Sequence, residues 1–483
     1  MINLKNAPID QNDLTYDSLF SNLQGNILKQ HGRSYTTNIF LKFDKNKHNS
    51  AKKWINNFSN QITSCKKQLS ENANYKRNGV SGGTFFSLLL SAKAYDYFAL
   101  DTSGFHDKAF LGGMDSRQSI LKDTVKSKWE IGFRETIHAM IIIADTDNNV
   151  LGQKVKTIIE QVRKFSKILT IEYGSAIRNE NGDGLEHFGY VDGISQPLFF
   201  KDEIQKYESQ NSKPLLFNPE AQLDLVLVKD PLSNDTDAYG SYFVFRKLEQ
   251  HVKDFKKAEE SLTKSLINEI IEKIKTKPEN IGLSYNKLKE KATLIFGDEE
   301  RGGAMLVGRF EDGTPVTVSE TDGWIDAGVY NNFNYDKDSA GAKCPFHSHI
   351  RKTNPRELDS KKRIMARRGI TYGNRNVSTK IDLDVEQMPN KDVGLLFMSF
   401  QRSIVDQFEF IQDSWANKPD FPNPKVGIDP IIGQHGIKNP SKGNFATIYG
   451  DKTSMIPRDF QSFVTLKGGE YFFAPSLNFL RNF

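Results

Sequence analysis

Lys343-Cys344-Pro345-Phe346-His347-Ser348-His349-Ile350-Arg351-Lys352-Thr353-Asn354-Pro355-Arg356 gathers two imidazoles, four cations, a thiol and two prolines into fourteen positions. A surface loop seldom needs that mixture. Histidine is near neutral at pH 7 and serves both as a metal ligand and as a proton carrier. Haem iron is often held by one histidine, and a nearby arginine or lysine can meet the porphyrin propionates. Taken alone, the stretch reads more simply as a basic, solvated helix start with two unremarkable histidines; a haem site is the alternative.

A second stretch shifts the balance. Glu186-His187-Phe188-Gly189-Tyr190-Val191-Asp192-Gly193-Ile194-Ser195-Gln196-Pro197 sets an acid between two glycines, after the Gly-rich Asn181-Gly182-Asp183-Gly184. Together the two stretches resemble the dye-decolorizing (DyP-type) haem peroxidases, whose distal motif is G-x-x-D-G and whose proximal histidine lies in C-P-x-x-x-H-I-R-K-x-N-P-R. Both occur here in the family's order. Arg367-Arg368-Gly369-Ile370-Thr371-Tyr372-Gly373 resembles the family's distal arginine segment, and Leu23-Gln24-Gly25-Asn26-Ile27-Leu28 the opening of its longer members. The likeness runs from about residue 20 to Ala474-Pro475-Ser476. A lone G-x-x-D-G would be weak; the ordered set is specific.

Composition is compatible with this. A chain of 483 residues, 37% hydrophobic and 26% charged, has material for two or three domains and a sizeable core. No run of about 18 apolar residues suggests a membrane span. Met1 to Asp17 lacks an apolar signal core, and Cys65 and Cys344 do not make a disulfide framework, so a reducing cytoplasm is expected. No C-x-x-C-H is present for covalent haem attachment. The net charge of +5 is spread along the chain, which argues against nucleic acid as a partner.

Periodicity predicts strands at 37–43, 84–90, 139–144 and 168–173, with helices at 50–63, 92–98 and 150–165 between them. The second half predicts strands at 240–246, 363–367, 394–400 and 462–466, a long charged helix from Glu249 to about Ile274, and a helix at 403–415. By periodicity alone this is an α+β chain of two domains, with helices on one sheet face. The resemblance implies two ferredoxin-like α+β sandwich domains, a dimeric α+β barrel-like arrangement within one chain. Residues 1–215 would carry the distal Asp, and 216–483 would hold haem.

The resemblance also implies roles. His349 is the expected proximal iron ligand. His347 lies two residues away and, on a helix, points to roughly the opposite side. Asp192 is the expected distal acid–base, against the plain reading of an Asp capping a turn before Gly193. Arg367 supplies fixed positive charge toward bound peroxide, while Arg368 alternates to the other face of its strand. Leu395 and Phe397, two apart on one strand, are expected to wall the distal pocket, although core packing serves as well. Arg351 is the expected propionate partner. Asp406, within Gln401–Glu409, is the expected carboxylate behind the proximal histidine, at a place where family members often carry acids and this chain has Ser403 or Val405. Cys344 lacks a thiolate-haem signature, and His187 reads as structural. The implied activity is peroxidase: one haem b per chain, hydrogen peroxide reduced, and bulky phenolic or dye-like aromatics oxidised through a ferryl intermediate. The alternative is a haem-binding or haem-trafficking protein using the same pocket. Trp324 and Trp415 could relay electrons, but nothing in the chain singles one out, and a homo-oligomer stays open.

Overall fold

The computed structural model describes residues 2–323, 330–374, 385–434 and 441–483. In chain order its strands are β1 (Tyr35–Phe43), β2 (Phe85–Leu90), β3 (Ala139–Asp145), β4 (Ser166–Ser175), β5 (Ile177–Arg178), β6 (Gly184–Leu185) and β7 (Val228–Lys229). There follow β8 (Tyr239–Gln250), β9 (Ala366–Arg367), β10 (Ile370–Tyr372), β11 (Gly394–Gln401), β12 (Ser441–Ala446), β13 (Met455–Phe460) and β14 (Val464–Ala474). β2 and β3 are buried at every position, which is why they read as unbroken apolar runs rather than alternating ones.

The main sheet runs β10-β11-β8-β14-β2-β3-β1-β4, with β7 beside β8 and β9 beside β11. Each half of the chain supplies four neighbouring strands, flanked by helices. These are the two ferredoxin-like α+β units of a barrel-like pair. The halves join through β14 and β2, where Phe473 faces Leu90. At the outer ends β4 and β10 also meet: the Thr371 hydroxyl donates to the Ser175 carbonyl, and Ile370 packs over Gly174.

Two hydrophobic cores result. One holds the sheet with helices His48–Ser59 and Asn148–Val162. The other packs helix Val252–Ile274 with Tyr285–Phe296 and Arg301–Val307. A cavity lies between them, walled by Phe397, Phe408 and Ile411 from the first core and Phe188, Val307 and Val464 from the second.

Several elements differ from expectation for identifiable reasons. β8 continues to Gln250, so the long helix starts at Val252 rather than Glu249; Glu249 and Gln250 still pair with β14. The strand expected at 363–367 shrinks to Ala366–Arg367 because Leu358–Arg363 is wound into a 3₁₀ turn. The 403–415 helix is present, but as two wide π turns, Ile404–Glu409 and Ile411–Ala416. The last strand reaches Ala474, well past Leu466.

Candidate active site

The loop bearing Asp192 is folded around a buried carboxylate. Glu186 accepts from the Phe188 and Tyr190 amides at 2.8 and 3.0 Å, and Gln250 also donates to it. Burial pushes this carboxyl up to about 7 against those bonds. The Asp192 amide then donates to Gly184 on β6 at 2.9 Å, anchoring the loop to the β5–β6 hairpin. Gly193 sits at φ 86°, a left-handed conformation that favours glycine, and its amide reaches the Asp192 carboxylate at 2.6 Å.

Arg367 enters from β9. Its amide is held by the Gln196 side chain at 3.1 Å, and its guanidinium lies 3.3 Å from the Asp192 carboxylate. Arg368 turns the other way, as strand alternation requires, and is buried on the Asn26 and Ile27 carbonyls at 2.6 and 2.9 Å. The Leu23–Leu28 segment thereby fixes the strand that presents Arg367.

His349 begins the short helix His349–Thr353 and faces the same cavity. Its Nδ1 lies 2.8 Å from Asp429 Oδ2. Burial pulls the imidazole's pKa down, but the Asp429 carboxylate more than offsets this and the net direction is upward. Asp429 is itself locked, because its Oδ1 accepts from the Ile431 and Ile432 amides at 2.7 and 3.0 Å. No hydrogen bond joins His349 Nε2 to a described residue. His347 points elsewhere: its buried ring packs between Phe445 and Phe460, and burial lowers its pKa to about 3.

Leu395 and Phe397 face the cavity from β11, while their neighbours Leu396 and Met398 are buried in the core. Two residues expected at the site are not there. Arg351 is turned away from the cavity. It is buried in an ion pair with Asp338 at 2.8 Å, donates to the Cys344 carbonyl at 2.6 Å, and lies between the rings of Tyr335 and Phe346. Asp406 is on the surface near Arg363, and the carboxylate that meets His349 is Asp429. Besides Arg367, the guanidiniums that line the cavity are Arg246, which is paired with Asp123, and Arg309 and Arg356. Arg356 lies over Phe333 at 3.7 Å and donates to Asn331 and Ser195; Arg309 donates to the Gly313 and Tyr330 carbonyls. Neither has a carboxylate partner among the described residues. Burial lowers Arg309 to about 9 and Arg356 to about 10.

Cys344 is fully buried away from the cavity, its thiol pushed up to about 12 by burial. His187 is buried against the Tyr372 carbonyl at 2.8 Å. Trp415 is buried and stacked on Phe421, and Trp324 lies outside the described residues.

This donor set fits a haem. An oriented imidazole offers Nε2, the walls are largely apolar, and one buried and one half-buried guanidinium, Arg309 and Arg356, suit its carboxylates. Asp192 and Arg367 open onto the same space, where a proton-transferring carboxylate and a fixed cation can act together. Among the described residues no helix is long and apolar enough to cross a membrane.

Comparison with known proteins agrees with this chemistry. Residues 22–177 match the DyP dimeric alpha+beta barrel domain, and residues 217–423 match the C-terminal domain of Dyp-type peroxidases. The multifunctional dye peroxidase DyP2 of Amycolatopsis sp. is 39% identical, with 96% of each chain covered. A dye-decolorizing peroxidase of Auricularia auricula-judae is 28% identical over 78% of this chain and 71% of its own. The crystal structure of the Anabaena sp. DyP-type peroxidase superposes with a TM-score of 0.86 at 38% identity, covering 99% of this chain and 98% of that one. With both halves of the chain matched by the family's two domains and a relative 39% identical over nearly the whole length, the chain belongs to the DyP-type peroxidase family.

Proposed function

We propose that this chain binds one haem b and reduces hydrogen peroxide while oxidising bulky phenolic or dye-like aromatics. The observation that carries the reading is the cavity shared by His349–Asp429 and Asp192–Arg367. Family membership supports the cofactor, and the dye-decolorizing activity for which the relatives are named supports the substrate class. Bound there, the haem would supply the iron at which peroxide is reduced, with hydrogen peroxide as the two-electron oxidant and the aromatic substrate as the reductant.

The protein's own residues set the conditions. His349 would ligate through Nε2, with Nδ1 donating to Asp429, which fixes the ring and makes it more basic. Asp192 accepts a proton from the nearer oxygen of peroxide and returns one to the departing oxygen. Arg367 stabilises negative charge developing on that oxygen. Leu395 and Phe397 keep water from the pocket. Arg309 and Arg356 would hold the propionates rather than Arg351, because they line the cavity without a carboxylate partner among the described residues while Arg351 is paired with Asp338 away from it. The halves divide near 215/216, a reading supported by family models that end at 177 and resume at 217. Two free, buried thiols fit a reducing, cytoplasmic setting.

The deciding test is the absorption spectrum of purified protein. Haem-loaded wild type and His347→Ala should share one Soret band, and His349→Ala should lose it or shift it strongly. The reverse pattern would overturn the ligand assignment, and a preparation that takes up no haem would overturn the function.

A further inference from the structure

Lys352 follows His349 by three residues on the same short helix, so the two side chains are neighbours on its surface. It is fully buried. An ammonium has three donors, and all three are used: Nζ donates to the carbonyls of Lys418, Phe421 and Gly427 at 2.7, 2.7 and 2.6 Å. Among the described residues no carboxylate lies within ion-pair distance of it; Asp429 and Asp420 act on it from further off. Burying a charge on carbonyls alone is costly, and a methionine would fill the same space without that cost. Gly427 is two residues before Asp429, so the loop gathered by the ammonium is the one that delivers the carboxylate to the imidazole.

We infer that Lys352 is a positioning residue for His349: its buried ammonium fixes the 418–427 loop and thereby sets both the place of Asp429 and the net charge behind the imidazole. The inference rests on His349 being the iron ligand. The Asp429 amide donates to Ala416, the Gly427 amide to Pro419 and the Gly433 amide to the Asp429 carbonyl, so backbone bonds also tie this loop near the carboxylate. The lysine adds three more and one positive charge. Without it Asp429 loses a compensating cation, draws harder on the Nδ1 proton, and makes the imidazole a more anionic donor, which favours ferric over ferrous iron.

The test uses full-length, haem-loaded protein and reads the ferric/ferrous reduction potential. Lys352→Met and Lys352→Gln should move it to more negative values by at least a tenfold change in the equilibrium constant, about 59 mV for one electron. Lys352→Arg, which keeps the charge, should stay near wild type, and Asp429→Asn should move it the opposite way. In haem-free protein the Ile431 and Ile432 amides should exchange at least tenfold faster in the two neutral variants. Unchanged potential and exchange, with only a lower melting temperature, would make Lys352 a plain structural staple and overturn the inference. Failure of both neutral variants to fold counts against it equally, because a residue needed for folding needs no second role. A wild-type spectrum in His349→Ala would instead overturn the ligand assignment, whatever the Lys352 variants do.

Discussion

On the His349 side of the cavity the carboxylate is fixed from every direction; on the Asp192 side it is not. Asp429 has no side-chain exposure and accepts one imidazole and two amide donors. Asp192 has 40% of its side chain exposed, Arg367 has 33%, and the two meet at a single 3.3 Å contact. The difference fits the tasks proposed for the two sides. A group that sets the electronic character of a ligand gains from immobility, whereas groups that exchange protons with an entering substrate need access to it.

That contrast breaks first at the open side. Asp192→Asn and Arg367→Leu should each retain haem yet slow peroxide consumption ~10²-fold or more in stopped-flow measurements. Full-speed consumption in both would mean that the open carboxylate is not the proton carrier. Next in size, Arg351→Met should lower stability by about 3–5 kcal/mol by leaving Asp338 buried and unpaired. Its folded fraction should keep normal peroxide kinetics, because Arg351 faces away from the cavity.

The two sides should also respond differently to pH. The Glu186 carboxyl is raised from 4.5 to about 7 by burial, so the folded chain keeps a proton that the unfolded chain releases. Between pH 4.5 and 7 the folded state binds more protons, and stability falls as pH rises, by at most about 3 kcal/mol. Glu186→Gln should lessen the slope by that share in denaturant titrations, leaving the part due to Glu300 and Glu470, which burial also raises to about 7. Amide exchange should quicken with pH in loop 186–193 beyond the intrinsic rate, and not around Asp429. The smallest effect sharpens the closed side: Asp429→Asn should cost about 10–100-fold in haem affinity or turnover, while Asp406→Asn should change neither.

The sequence showed most of the sheet and the three polar residues that the structure gathers on one cavity, because each lies in a local pattern. Apolar runs mark β2 and β3, and Asp192, His349 and Arg367 sit in short motifs. What escaped is non-local or polar. Asp429 is 80 positions from His349, and no spacing connects them. Helix Cys65–Asn78 buries only Cys65, Gln68 and Leu69, too little to impose an apolar period. Arg351 was legible in principle: the two-residue rule that separates His347 from His349 turns Arg351 away from the cavity as well. Arg309 and Arg356 carry no local signal beyond the N-P-R ending, since their place depends on Asn331 and Ser195 brought from elsewhere.

The position of β14 has a consequence for how the chain is made. It is the last strand synthesised, yet it lies between β8 and β2 in the middle of the sheet. Chains emerge from the ribosome N-terminus first, so β1 to β4 can pair while the rest is still being translated. β8 and β2 must then each wait with one edge unpaired until residues 464–474 appear, an interval in which exposed strand edges invite wrong partners. When β14 arrives, the Gln24 side chain is ready to span the seam by donating to the Leu88 and Pro475 carbonyls at 2.8 and 2.9 Å. A ribosome stalled before residue 464 would therefore carry a folded first half, an open-edged second half, and no completed wall between them.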